Sequence, residues 1–103
     1  MDKFANLNML GKNYKVRLVT SNYQNNNATA VFAMDGETEE MFCTLSVNLP
    51  ASSLLPEGTW YGKHWSENTG FLEQLVEQGV IEQVDAPVTS SGFVSDIHAY
   101  KLV

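Results

Sequence analysis

The chain has a single cysteine, six lysines and arginines in all, three prolines and no apolar run approaching a membrane span. One cysteine excludes an internal disulfide and a structural zinc site built on thiolates. Cys43 lies in an alternating apolar pattern, which predicts a buried, inert thiol and suits a reducing, cytoplasmic setting. The missing apolar run predicts no membrane span, and Met1 to Leu10 has no uninterrupted apolar core of the signal-peptide kind. The few cations leave a net charge of −6. Residues 1–17 hold Lys3, Lys12, Lys15 and Arg17 against Asp2, while every other acid lies beyond them, opposed by Lys63 and Lys101. Such a body repels phosphates, so direct nucleic-acid binding is not expected outside the short basic segment, and a basic protein partner is. Acidity kept simply for solubility is the plainer explanation of the same charge.

The sequence also lacks a phosphate-cradling glycine loop, a nucleophile elbow and any cluster of metal ligands. His64 and His98 are isolated in the sequence, and Cys43 has no neighbouring helix start to lower its pKa. Glu39 and Glu40 are adjacent and point to opposite faces of extended backbone. Glu73 and Glu77 share one helix face at i,i+4, but on its polar side. The expectation is therefore a protein that is not an enzyme and has no cofactor or metal. A deep polar pocket joining either histidine to carboxylates would argue the other way.

What is present is the pattern of a small α+β domain. Met41, Cys43, Leu45, Val47 and Leu49 alternate with Thr44, Ser46 and Asn48, predicting one half-buried strand that stops at Pro50. Upstream, Tyr14–Thr20 and Ala28–Met34 read as strands joined through an Asn-rich connection, and Asp35-Gly36 as the next turn, giving an antiparallel meander. A short strand is expected at Thr59–Tyr61, an extended piece at Val80–Val84 and a last strand at Phe93–Leu102. One helix is expected from about 68 to 78. Asn68 or Thr69 would be its N-cap, Phe71, Leu72, Leu75 and Val76 its buried face, and Gly79 its left-handed C′ residue. The predicted architecture is an antiparallel sheet of about four to six strands with this helix packed on one face. It forms a single domain over 12–103, preceded by a segment 1–11 that either caps the core or stays free.

Trp60, Tyr61 and Trp65 flank Lys63 and His64. In a strand Trp60 and Tyr61 face opposite ways, so a ring at the surface is expected there, and exposed Trp is a favoured interface anchor. A protein-binding surface is therefore expected to include Trp60, His64, Trp65, Glu67, Glu73 and Glu77.

Tyr14-Lys15-Val16-Arg17-Leu18, Ser21-Asn22-Tyr23, Thr44-Leu45-Ser46-Val47-Asn48-Leu49-Pro50, Leu55-Pro56-Glu57-Gly58, Asn68, Ser91-Gly92-Phe93 and Tyr100-Lys101-Leu102 occur in collinear order. Together, over about residues 12–103, they resemble a family of small bacterial proteins, domain of unknown function number 4313. That family is found on phages, plasmids and integrative elements, mainly of Gram-positive bacteria. The chain departs from it at Asp96-Ile97-His98-Ala99, where the family carries a Tyr-Pro pair. The resemblance implies a mobile-element origin and carries over no catalytic residue. Small acidic proteins of such elements often inhibit host defence, and carboxylates such as Glu67, Glu73, Glu77, Glu82 and Asp85 can occupy a basic groove meant for phosphates. The expected function is non-enzymatic protein binding by an accessory protein of a phage or mobile element, directed at a host defence nuclease. The alternative is a structural, self-associating homo-oligomeric module, such as a homodimer paired through a sheet edge.

Overall fold

The computed structural model describes residues 3–103. Its first sheet is a four-stranded antiparallel meander of β1 (Lys3–Met9), β2 (Lys12–Asn22), β3 (Thr29–Asp35) and β4 (Met41–Thr44), in that order. The second sheet has the order β5-β6-β10-β7, from β5 (Ser46–Val47), β6 (Thr59–Gly62), β10 (Ala99–Leu102) and β7 (Ile81–Gln83). A separate ribbon pairs β8 (Thr89–Ser91) with β9 (Val94–Ile97), and α1 (Phe71–Glu77) is the α-helix. The α+β class, the antiparallel pairing and the one short α-helix are as the sequence predicts, but the strands divide into two four-stranded sheets and a ribbon, not one sheet.

Of segment 1–11, Lys3–Met9 is an edge strand of the first sheet, and residues 1–2 lie outside the described residues. Ala5 and Leu7 point inward and are buried, and the register runs from Lys3 opposite Leu18 to Met9 opposite Lys12. The β1–β2 turn places Leu10 and Gly11 at φ 53° and 78°, the left-handed pair that matches strand twist in a two-residue hairpin. Glycine adopts this freely, whereas a fully exposed leucine is strained there. Leu10→Asn is expected to raise stability by about 1 kcal/mol, read from urea denaturation.

The strand predicted over Met41–Pro50 is two strands in two sheets. Between Ala33 and Met34 the β3–β4 register shifts, because Phe42 is an extra residue on β4. The bulge turns Phe42 toward Tyr14 and Phe71, with ring centroids 5.1 and 6.1 Å away, and leaves Met41 54% exposed rather than inward. At Leu45 the chain leaves β3 for β6. The Leu45 amide still donates to Val31 O at 2.9 Å, while Lys63 N donates to Leu45 O at 2.8 Å. Ser46, expected at the surface, is buried at this changeover. Its hydroxyl accepts from Val31 N at 2.9 Å and lies 2.8 Å from the Tyr23 hydroxyl. The bond supplies Val31 N with an acceptor where β4 ends its pairing with β3.

The last strand is likewise divided: Asp96 takes φ 56°, β9 pairs with β8, and β10 lies between β6 and β7. Two buried clusters result. The larger joins Leu7, Val16, Val31, Leu45, Trp60, Phe71, Leu72, Leu75 and Tyr100. The smaller, on the opposite face of the second sheet, holds Leu49, Tyr61, Ile97 and Ala99. Period-two alternation along β6 and β10 thus feeds both clusters, and the second sheet is covered on both sides.

The helix is shorter than predicted. Gly70 at φ 83° is its N-cap, without a side-chain capping bond. Asn68, expected as the cap, is instead completely buried, and its amide donates to Thr44 O at 2.7 Å and Lys63 O at 3.3 Å. It ties the β4–β5 changeover to the turn after β6, a role no capping pattern signals. The C-terminus ends as predicted: Gly79 N donates to Val76 O and Val80 N to Leu75 O, a Schellman pair, with Gly79 at φ 74°. Two glutamines on the helix do more than meet solvent. Gln78 accepts from Asn6 N and donates to Asn6 O, and Gln74 does the same for Asn8. Spaced four residues apart, they occupy the outer edge of β1 with amide groups that reproduce a strand's alternating donors and acceptors.

Candidate functional site

The six residues expected to form one contact surface are sorted by the fold into a core residue and two groups. Trp60 is 1% exposed inside the larger cluster and presents no ring to a partner. Tyr61, on the opposite face, is also buried, with its hydroxyl donating to Pro87 O at 2.9 Å. The expectation of an exposed ring at this pair fails because both faces of β6 are covered.

His64, Trp65 and Glu67 follow β6. A carbonyl only accepts, so the His64 Nε2–H donates to Ser95 O at 2.9 Å, tying this turn to β9. The His64 ring stands edge-on to Trp65 at 5.3 Å, and Trp65 is half-buried against the smaller cluster. Glu67 accepts from Lys63 Nζ at 2.9 Å. That bond, then its own backbone N–H and the Ser66 hydroxyl, hold its carboxyl down at about 2.

Glu73 and Glu77 lie on the outer edge of α1, exposed, and neither takes part in an ion pair among the described residues. Glu82, by contrast, is paired with Lys101 at 3.0 Å. Between α1 and the second sheet runs an open cleft of about 440 Å³ lined by Glu73, Val76, Glu77, Gln83, His98 and Tyr100. Val76 is 42% exposed, so part of the apolar helix face predicted to be buried forms a wall of this cleft. Tyr100 is only 9% exposed, and its hydroxyl has no hydrogen-bond partner among the described residues. Burial first, and then the Glu73 carboxylate, push that hydroxyl's pKa up. The Gln83 amide N–H donates to His98 Nδ1 at 3.2 Å, which makes Nδ1 the acceptor and leaves Gln83 Oε1 as a further acceptor. His98 is therefore held by an amide and not by a carboxylate, unlike the base of a triad, which an acid orients. Gln83, His98 and Tyr100 were not singled out together from the sequence. The β7–β10 pairing that assembles them joins residues with no local signal in common.

A second, polar depression of about 300 Å³ near Asn22, Asn26, Ser52 and Glu57 is satisfied internally. Asn26 donates to Asn48 Oδ1, Asn22 to Asn27 O, and Ser52 accepts from Leu49 N.

Cys43 is buried, and desolvation first, with Glu67 adding to it, pushes its pKa from an ordinary 9.0 to about 12. The native thiol is thus protonated at neutral pH. Because the folded value lies above the unfolded one, this contribution to stability is complete below pH 9.0 and declines as pH rises toward about 12. Native protein at pH 8 is expected to resist thiol reagents, with full labelling in urea; rapid native labelling would contradict this placement. Among the described residues no group of three or more His, Cys, Asp or Glu is placed to hold a metal ion, and no helix is long and apolar enough to cross a membrane.

No family model, curated protein or solved structure matches the chain.

Proposed function

We propose that the chain works by non-enzymatic binding of a basic partner protein through the exposed edge of α1, as an accessory protein of a phage or mobile element directed against a host defence nuclease. The observation that carries the binding is the pair Glu73 and Glu77, exposed, four residues apart and without a cation among the described residues. Unneutralised carboxylates of this kind favour a positive surface and speed its encounter. The family resemblance suggests the mobile-element setting, and carboxylates able to occupy a groove meant for phosphates suggest the choice of a nuclease.

Affinity capture from a host lysate at low and high salt tests this reading. A basic protein retained at low salt, released at high salt and lost with Glu73→Gln/Glu77→Gln is the expected result. Retention unaffected by salt or by that variant would overturn it. Trp65→Ala gives a second arm for the His64–Glu67 turn, provided a denaturation curve shows that the variant is folded.

A self-associating module is the second reading, favoured by the β8–β9 ribbon. Phe93 at its tip is fully exposed, and Val88 beside β8 is half-exposed. A concentration-dependent dimer by sedimentation, abolished by Phe93→Ser and accompanied by no captured partner, would favour it.

A further inference from the structure

We propose that the cleft between α1 and β10 is a receptor for a single arginine side chain of the partner protein. The proposal rests on the basic-partner reading above and assigns its point of contact. The walls supply what a guanidinium requires and a general acidic surface does not. Glu73 and Glu77 are one helical turn apart, so their carboxylates flank a position that a planar, five-donor fork can bridge. The Tyr100 ring is buried and its hydroxyl lines the same cleft, open to solvent and without a partner among the described residues. Held at the cleft by its packed ring, the hydroxyl is a fixed acceptor for a guanidinium N–H. Gln83 Oε1 is a further acceptor on the opposite wall. Val76 offers the apolar surface on which an arginine stem packs while its head stays charged.

Arginine fits better than lysine for two reasons. Its charge is spread over a weakly hydrated plane, so it tolerates a half-enclosed site, and its fork can meet several separated acceptors at once. An ammonium is compact and strongly hydrated, and it cannot span both carboxylates and the tyrosine. A second copy of this chain has one arginine to offer, Arg17, which is already within 3.2 Å of Glu39.

The test is an NMR titration of the isotope-labelled chain with a capped peptide holding one arginine among glycines and serines. Matched peptides carry lysine or citrulline in its place. Shifts confined to the amides of Val76, Glu77, Gln83, His98 and Tyr100 are expected, with citrulline silent and lysine at least about threefold weaker. Glu73→Gln/Glu77→Gln should weaken arginine binding about tenfold or more. Tyr100→Phe, which keeps the ring packing, should weaken it about threefold. Glu37→Gln/Glu40→Gln, which removes the same charge elsewhere, should leave it unchanged. Equal binding of citrulline or lysine, or equal loss in the Glu37/Glu40 variant, would overturn the assignment. So would line broadening that grows with protein concentration alone, which would put a second copy on this face. Shifts spread over all acidic segments would remove the cleft but keep the basic-partner reading. Failure of every basic peptide to bind at low salt would remove both.

Discussion

Trp60→Ala is expected to cost about 3–5 kcal/mol, the range for deleting a large aromatic from a packed core. Domains of this size have total stabilities of about 5–15 kcal/mol, so a substantial unfolded population should appear at 37 °C. The reasons are specific to the site. The indole is 1% exposed and lies against the Tyr100 ring with centroids 5.6 Å apart. Removing it empties the layer between the two sheets and frees Tyr100 at the same time. Trp60→Phe should cost much less than an ordinary reduction in size. The indole Nε1 is buried without a hydrogen-bond partner, and losing an unsatisfied donor returns about 1–3 kcal/mol. Urea denaturation of both variants measures the difference. An alanine variant as stable as the parent would mean that Trp60 is a surface residue after all.

Gly62→Ala should be almost as damaging, for the opposite reason. A Cβ at this position would meet Leu72 Cδ1 at 2.6 Å and the Tyr100 ring at 2.8 and 2.9 Å. Leu72 is itself fully buried, and the tyrosine ring is backed by Trp60, so neither can withdraw without disturbing a neighbour. Overpacking of this kind costs about 1–3 kcal/mol, and three contacts below 3.0 Å put the expected loss at the upper end. A second effect separates this variant from a simple loss of stability. Displacing Tyr100 changes the wall of the cleft, so the Tyr100 ring resonances should move even in the folded fraction and arginine binding should weaken with them. A variant with normal stability and unmoved Tyr100 resonances would contradict the close approach.

The local periodicities were sound guides wherever one face of an element meets one core. Val16 and Leu18 on β2 and Phe71, Leu72 and Leu75 on α1 are buried as their spacing implies. The pattern failed where a single apolar run serves two sheets. Nothing in Thr44-Leu45-Ser46 marks a changeover, because Leu45 continues the alternation through it while its backbone changes partners. Phe42 was the one visible irregularity in that run, and it is the bulge residue. Asn68 misled because an asparagine before a helix is the ordinary capping signal, and its actual partners, Thr44 O and Lys63 O, lie far off in sequence or in a turn of unknown path. The candidate site was half legible: Glu73 and Glu77 followed from helical spacing, whereas Gln83, His98 and Tyr100 depended on a strand order that local sequence does not encode. Alternation along β6 separates Trp60 from Tyr61 without saying which face is covered, and here both are.

The glutamine pair of α1 and its C-cap would couple the proposed partner capture to any growth of the first sheet. Gln74 and Gln78 sit on the β1 edge, and Glu73 and Glu77 are their immediate neighbours in the same two turns of helix. A strand from another chain can add to β1 only by evicting both glutamines, and eviction moves the helix that carries the acidic pair. On the proposed reading, growth of this sheet and capture of a basic partner would compete for one helix position. A bound partner would act as a brake on self-assembly through β1, and crowding of the free chain would act against binding.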